Sequence, residues 1–184
     1  MERAARLKPF FDHSGGGVTL TGGVVTAQVG FAAAILAGCR SRGIHTAIET
    51  CGACSWSGLE RLLEHADLTL FDLKLIDDEA HRRWTGASNR EILDNASRLA
   101  GRNVQVRVPL IPGVTDTNDN IAAILGFMRK VGLPRVAFLP FNPSAAAKYE
   151  WLGAPYEIQG EPQTRSRLAE LAEMARQAGI EAEE

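Results

Sequence analysis

Short apolar runs of strand length alternate along the chain with longer segments whose apolar residues recur every three to four positions. Gly17-Val18-Thr19-Leu20 is short and β-branched, and residues 27–42 follow with Phe31, Ala34, Ile35 and Cys39 at helical spacing. Gly43 marks the helix end, and Ile44 to Glu49 reads as the next strand. Residues 56–65 place Leu59, Leu62 and Leu63 on one helical face, and Leu68 to Leu73 follows as a buried strand of nearly continuous apolar character. A short helix over 77–84 comes next. Another over 89–100 has Ile92, Leu93, Ala96 and Leu99 inward. Val104 to Pro109 is a strand ended by proline, and residues 117–131 return to helix with Ile121, Ile124, Leu125 and Met128 facing in. Arg135 to Pro140 is a fifth strand, and 163–178 is a closing helix carrying Leu168, Leu171 and Met174.

Five strands joined by helical crossovers specify a parallel sheet, because a strand that returns parallel needs a connection of a dozen or more residues. Periodicity alone leaves two forms open, an open Rossmann-type sheet and part of a (β/α) barrel. In both, sites assemble at the C-terminal ends of strands. Gly22-Gly23, Glu49-Thr50, Asp72, Lys74, Arg107 and Asn142 all fall at or just beyond such ends.

The length of 184 residues suits one domain over 1–184, and an apolar share of 45% with 23% charged residues excludes disordered and fibrous classes. A net charge of −2 offers no basic field for nucleic acid or an anionic membrane surface. The charged N-terminus lacks a secretory leader pattern, and no run reaches the roughly 20 apolar residues of a spanning helix. These features, with an odd count of three cysteines (Cys39, Cys51, Cys54), give a cytoplasmic expectation.

Gly22-Gly23 lets backbone amides approach a ligand, or simply turns the chain into a helix; it is neither a dinucleotide fingerprint nor a P-loop. Glu49 and Asp72 are candidate acceptors, metal ligands or acid/base groups, Lys74 a candidate carboxylate holder, and Arg107 either a paired strand residue or a site cation. His13, His45, His65 and His81 share no zinc spacing. Cys51-Gly52-Ala53-Cys54 matches a redox C-x-x-C, yet Ser55-Trp56-Ser57 intervenes before the helix and no second metal-ligating pair exists, which weighs against redox or metal use.

The segments Ser14 to Gly23, Ile44 to Gly52, Phe71-Asp72-Leu73-Lys74 and Val108 to Asp116 together resemble the glycyl-radical-enzyme activating family in order and spacing, over nearly the whole chain. The resemblance implies a partial parallel barrel of the radical S-adenosylmethionine type, with S-adenosylmethionine and a [4Fe–4S] cluster as cofactors. It also implies a glycyl radical enzyme as partner and a flavodoxin or ferredoxin as electron donor. By the same resemblance, Gly22 and Gly23 contact the methionine amino group, and Glu49 and Thr50 stand near the ribose and a monovalent cation. Asp72 and Lys74 surround the cofactor carboxylate, Arg107 faces the same pocket, and Asn142 takes a position where many members have histidine.

Two departures accompany it. The family's C-x3-C-x2-C cluster motif is absent, since Cys39, Cys51 and Cys54 do not fit it, and Val24 replaces the glutamate of the glycine turn. The expectation is therefore a C-terminal part of an activating protein that lacks the first βα unit, binds no cluster and is inactive alone. No residue of this chain is expected to be catalytic or to ligate a metal. Two other readings stay open: a non-catalytic module that docks a glycyl radical enzyme, and an unrelated parallel α/β enzyme using Asp72, Lys74 and Glu49. The stretch from Asn142 to Gly153, with Lys148, is a candidate loop to close over substrate.

Overall fold

The computed structural model describes residues 2–22, 25–144, 149–153, 155–156 and 158–183. Among these, six parallel strands follow the chain order: β1 (Gly17–Leu20), β2 (His45–Thr50), β3 (Leu68–Asp72), β4 (Val104–Pro109), β5 (Arg135–Leu139) and β6 (Glu181–Glu183). The helices are α1 (Glu2–Arg6), α2 (Lys8–Ser14), α3 (Val29–Arg40), α4 (Trp56–Leu63), α5 (Asp78–Thr85), α6 (Arg90–Ser97), α7 (Asn118–Val131) and α8 (Arg165–Gln177), with a 3-10 turn over Val25–Gln28. The backbone groups into two compact units, residues 1–72 with 89–105 and residues 73–88 with 106–184. Among the described residues no helix is long and apolar enough to cross a membrane.

In the first unit β1 pairs with β2 and β2 with β3, and the Thr69 amide donates to the Asn103 carbonyl at 3.0 Å. Leu36 and Cys39 of α3, Ile48 of β2, Leu59 and Leu62 of α4, and Phe71 of β3 are fully buried. Each such large side chain contributes roughly 1.5–3 kcal/mol relative to exposure. Gly17 allows the closest strand approach, because a Cβ there would overlap the His45 carbonyl oxygen. At the N-terminal end of β2 the fully buried Thr46 meets Asp67, whose Oδ2 lies 2.8 Å from the Thr46 amide and 2.9 Å from its hydroxyl.

In the second unit β4 pairs with β5 and β5 with β6, and the core is Val106, Val108, Ile121, Ile124, Met128, Val136 and Leu171. The Thr117 and Thr164 hydroxyls cap α7 and α8 by accepting from the Asn120 and Arg167 amides at 3.3 and 3.2 Å.

Strand and helix bounds match the periodicity to within a few residues, with three differences. Strand β6 is an additional strand: Glu181-Ala182-Glu183 has no strand-like pattern and is recruited by pairing with β5. The N-terminal residues before Gly17 form two short helices, the second carrying Pro9 in its first turn where proline is tolerated. Strand β3 is covered on one face only: Thr69 and Phe71 are buried, whereas Leu68, Leu70 and Asp72 keep partial solvent access. Apolar side chains on both faces of a strand do not require both faces to be covered.

Candidate functional site

In the first unit the register aligns Glu49 with Leu70 and Thr50 with Phe71. Paired residues of neighbouring strands point to the same side, and successive residues alternate. Glu49, Leu70 and Asp72 therefore share one face at the C-terminal ends of β2 and β3, and both carboxylates are half-buried. Thr50 points the other way. Its side chain is buried, and its hydroxyl oxygen accepts from the Gly52 amide at 3.0 Å, so it shapes the following loop rather than extending the Glu49 face. Gly22, at φ 131°, is exposed just beyond β1 in a conformation that favours glycine. Gly23 and Val24 lie outside the described residues, so the expected glycine turn is seen only at Gly22.

The loop after β2 is held from inside. Buried Asn95 of α6 donates through Nδ2 to the Gly52 carbonyl at 2.8 Å and the Cys54 carbonyl at 2.7 Å. Asn95 interrupts the apolar face expected for this helix, while Leu93, expected inward, is only half-buried. A buried amide inside an apolar stripe is the signal that periodicity passes over. Cys51 and Cys54 are free, half-buried thiols.

In the second unit Lys74 comes two residues after the last residue of β3, and its carbonyl accepts from Asn120 Nδ2 at 2.8 Å. Asn120 also donates to the Thr115 carbonyl at 2.9 Å and accepts from the Ile76 amide at 3.3 Å, so one side chain of α7 holds the chain on either side of Leu75. Arg107 is aligned with Ala137 on the half-open side of β4, with Val106 and Val108 buried on the other. Its carbonyl accepts from the Leu73 amide at 3.0 Å.

The loop after β4 closes on itself. The Ile111 amide donates to the Thr115 hydroxyl at 2.6 Å, and the Gly113 amide to Asp116 Oδ1 at 2.7 Å. Gln163 joins this loop to the end of β5: its Nε2 donates to Asp116 Oδ2 at 2.8 Å, and its Oε1 accepts from the Phe141 amide at 2.9 Å. Asn142 is exposed, and its Oδ1 accepts from the Ser144 amide at 3.0 Å, a turn within its own loop. Lys148 lies outside the described residues. The bracing amides Asn95, Asn120 and Gln163 were not among the expected site residues, because their partners are backbone groups that meet only after folding.

Among the described residues no group of three or more His, Cys, Asp or Glu side chains stands together to hold a metal ion. Within the first unit, Glu49 and Asp72 present two carboxylates, both hydrogen-bond acceptors, on one face of the sheet.

Comparison with known proteins gives a consistent assignment. The family model described as the Radical SAM superfamily matches residues 1–128. The trans-4-hydroxy-L-proline dehydratase activating enzyme of Clostridioides difficile is 40% identical over 172 residues, covering 91% of this chain and 56% of that protein. The pyruvate formate-lyase-activating enzyme of Clostridium pasteurianum is 36% identical over 162 residues, covering 86% and 68%. A crystal structure of a domain of pyruvate-formate lyase-activating enzyme from Bacteroides vulgatus superposes with a TM-score of 0.75 at 26% identity, covering 91% of this chain and 98% of that one. The chain spans about half the length of several curated relatives it matches. From these matches the chain belongs to the radical SAM superfamily and, within it, to the glycyl-radical-enzyme activating family.

Proposed function

We propose that this chain forms the S-adenosylmethionine-holding part of an activating protein that generates a radical on a glycine of a glycyl radical enzyme. The observation that carries the reading is the pair of half-buried carboxylates, Glu49 and Asp72, on one face at the ends of adjacent strands β2 and β3. In this reading the backbone at Gly22 and Gly23 approaches the amino-acid moiety of the cofactor. Glu49 accepts from its hydroxyl or ammonium donors, with Thr50 fixing the loop behind it. Asp72 and Lys74 orient the moiety, Arg107 adds a second cation for its carboxylate, and Asn142 is a further cofactor-binding residue. S-adenosylmethionine, when bound, supplies reductive-cleavage and hydrogen-abstraction chemistry.

The C-x3-C-x2-C spacing is not among the 184 residues, so no cluster step is assigned to them and the chain by itself is proposed to be inactive. A flavodoxin or ferredoxin would serve the complete activity as electron donor. Titration calorimetry of the purified chain with S-adenosylmethionine tests the binding role. Measurable binding that weakens about tenfold or more in Asp72→Asn is expected, a loss of about 1.4 kcal/mol. Absence of binding, or equal binding by the variant, would refute it. Iron and sulfide analysis after reconstitution is expected to give no stoichiometric cluster and no 5′-deoxyadenosine; finding both would overturn the inactivity.

A further inference from the structure

In the second unit one half-buried side chain spends its whole hydrogen-bonding capacity on backbone groups. An asparagine amide has two N–H donors and a carbonyl acceptor. Asn120 Nδ2 donates to the Lys74 carbonyl at 2.8 Å and the Thr115 carbonyl at 2.9 Å, and its Oδ1 accepts from the Ile76 amide at 3.3 Å. Half-buried Lys74 stands between Leu73 and Leu75, which are 1% and 6% exposed. Before it, the Leu73 amide donates to the Arg107 carbonyl at 3.0 Å. The backbone that carries the Lys74 side chain is thus held before, at and after the residue. A lysine ammonium sits on a flexible four-carbon stem, so fixing the root of that stem narrows the region the charge samples. The hold extends to β4. Thr115 is buried, and its hydroxyl donates to the Pro109 carbonyl at 2.5 Å and accepts from the Ile111 amide at 2.6 Å. Pro109 ends β4, the strand of Arg107, so one amide ties the backbone of one cation to the strand of the other.

We propose that Asn120 is a positioning residue for ligand binding: it fixes the backbone at Lys74 so that the lysine ammonium meets the carboxylate of S-adenosylmethionine. This role rests on the reading of Lys74 as a cofactor-holding cation. Asn120 touches no ligand in it and acts through Lys74. Alanine at this position removes both donors and the acceptor, so the segment around Lys74 gains freedom and the ion pair loses orientation rather than charge. A side chain that only supported the fold would weaken binding to the same degree whether or not residue 74 carried a charge.

Titration calorimetry of the purified chain with S-adenosylmethionine, run as a double-mutant cycle of Asn120→Ala and Lys74→Met, tests the coupling. Asn120→Ala should raise Kd about fivefold and Lys74→Met about tenfold, and the double variant should match Lys74→Met alone to within about twofold. Thr117→Ala removes the helix cap in the same turn but keeps the Asn120 side chain, and it should leave Kd within about twofold of the wild type. Circular dichroism checks that each variant is folded. Where Asn120→Ala does not fold, the neutral Asn120→Ser takes its place in the cycle with the same expectation. Loss of the folded state in both would assign Asn120 to the fold alone and overturn the role. A double variant weakened by the product of the single effects, about fiftyfold, would overturn action through Lys74. A loss in Thr117→Ala equal to that in Asn120→Ala would do the same. Wild-type binding with unchanged binding by the Asn120 variants overturns only the role of Asn120, whereas a wild-type chain that does not bind overturns the cofactor reading and this role with it.

Discussion

At Gly52 the backbone takes φ 71°, and a Cβ would stand within 2.6 Å of two ring atoms of Phe71. Both the left-handed backbone and the steric overlap oppose any side chain, so Gly52→Ala should cost about 2–4 kcal/mol in urea unfolding. Adding Phe71→Leu should recover part of that loss, because it removes the overlap but leaves the backbone strain. Asp67 offers a pH-dependent counterpart. Burial pushes its carboxyl up, but the Thr46 amide and hydroxyl, with His45 and Arg40, outweigh that and hold it below the ordinary carboxylate value. A lowered native pKa means stability present above the unfolded value of about 3.9 and lost as pH falls through the native one. The stability advantage of the wild type over Asp67→Asn should therefore be constant from neutral pH to about pH 5 and shrink below about pH 4, as read from chemical unfolding at each pH. Residue-level legibility was uneven. Glu49 and Thr50 are adjacent in sequence and were grouped together, yet strand alternation alone places them on opposite faces. The bracing role of Asn95 depends on the Gly52 and Cys54 carbonyls, which its own helix gives no sign of.

Among the elements, α7 does more than cover the sheet. Its Thr117 cap and its Asn120 side chain act on different things: the cap satisfies a helix amide, whereas Asn120 holds the Lys74 and Thr115 carbonyls and the Ile76 amide. Losing a cap costs about 1 kcal/mol, while leaving partly buried backbone groups unmatched costs about 1–3 kcal/mol. Asn120→Ala should therefore destabilise the chain more than Thr117→Ala, and it should raise hydrogen exchange at residues 74–76, which Thr117→Ala should leave unchanged. The strands and long helices were legible because their apolar residues keep a period. Val104, Val106 and Val108 alternate with Gln105, Arg107 and Pro109, and the burial follows that alternation. Strand β6 had no such signature, since its two glutamates and one alanine become a strand only through the neighbour they pair with.

At the scale of the whole molecule, the parallel α/β class and the family were both readable from the order of a few segments, because those segments lie in and directly after strands whose apolar residues keep a period. What those segments do not convey is how the loops are held, which is the task of the amides Asn95 of α6, Asn120 of α7 and Gln163 just before the cap of α8. The strand order has a further consequence, for synthesis rather than for chemistry. Each strand lies beside the one made before it, so every described strand after β1 finds one pairing partner already present when it emerges. A chain growing from the ribosome can extend this part of the sheet one βα unit at a time, and among the described strands each pairs with a neighbour in sequence order.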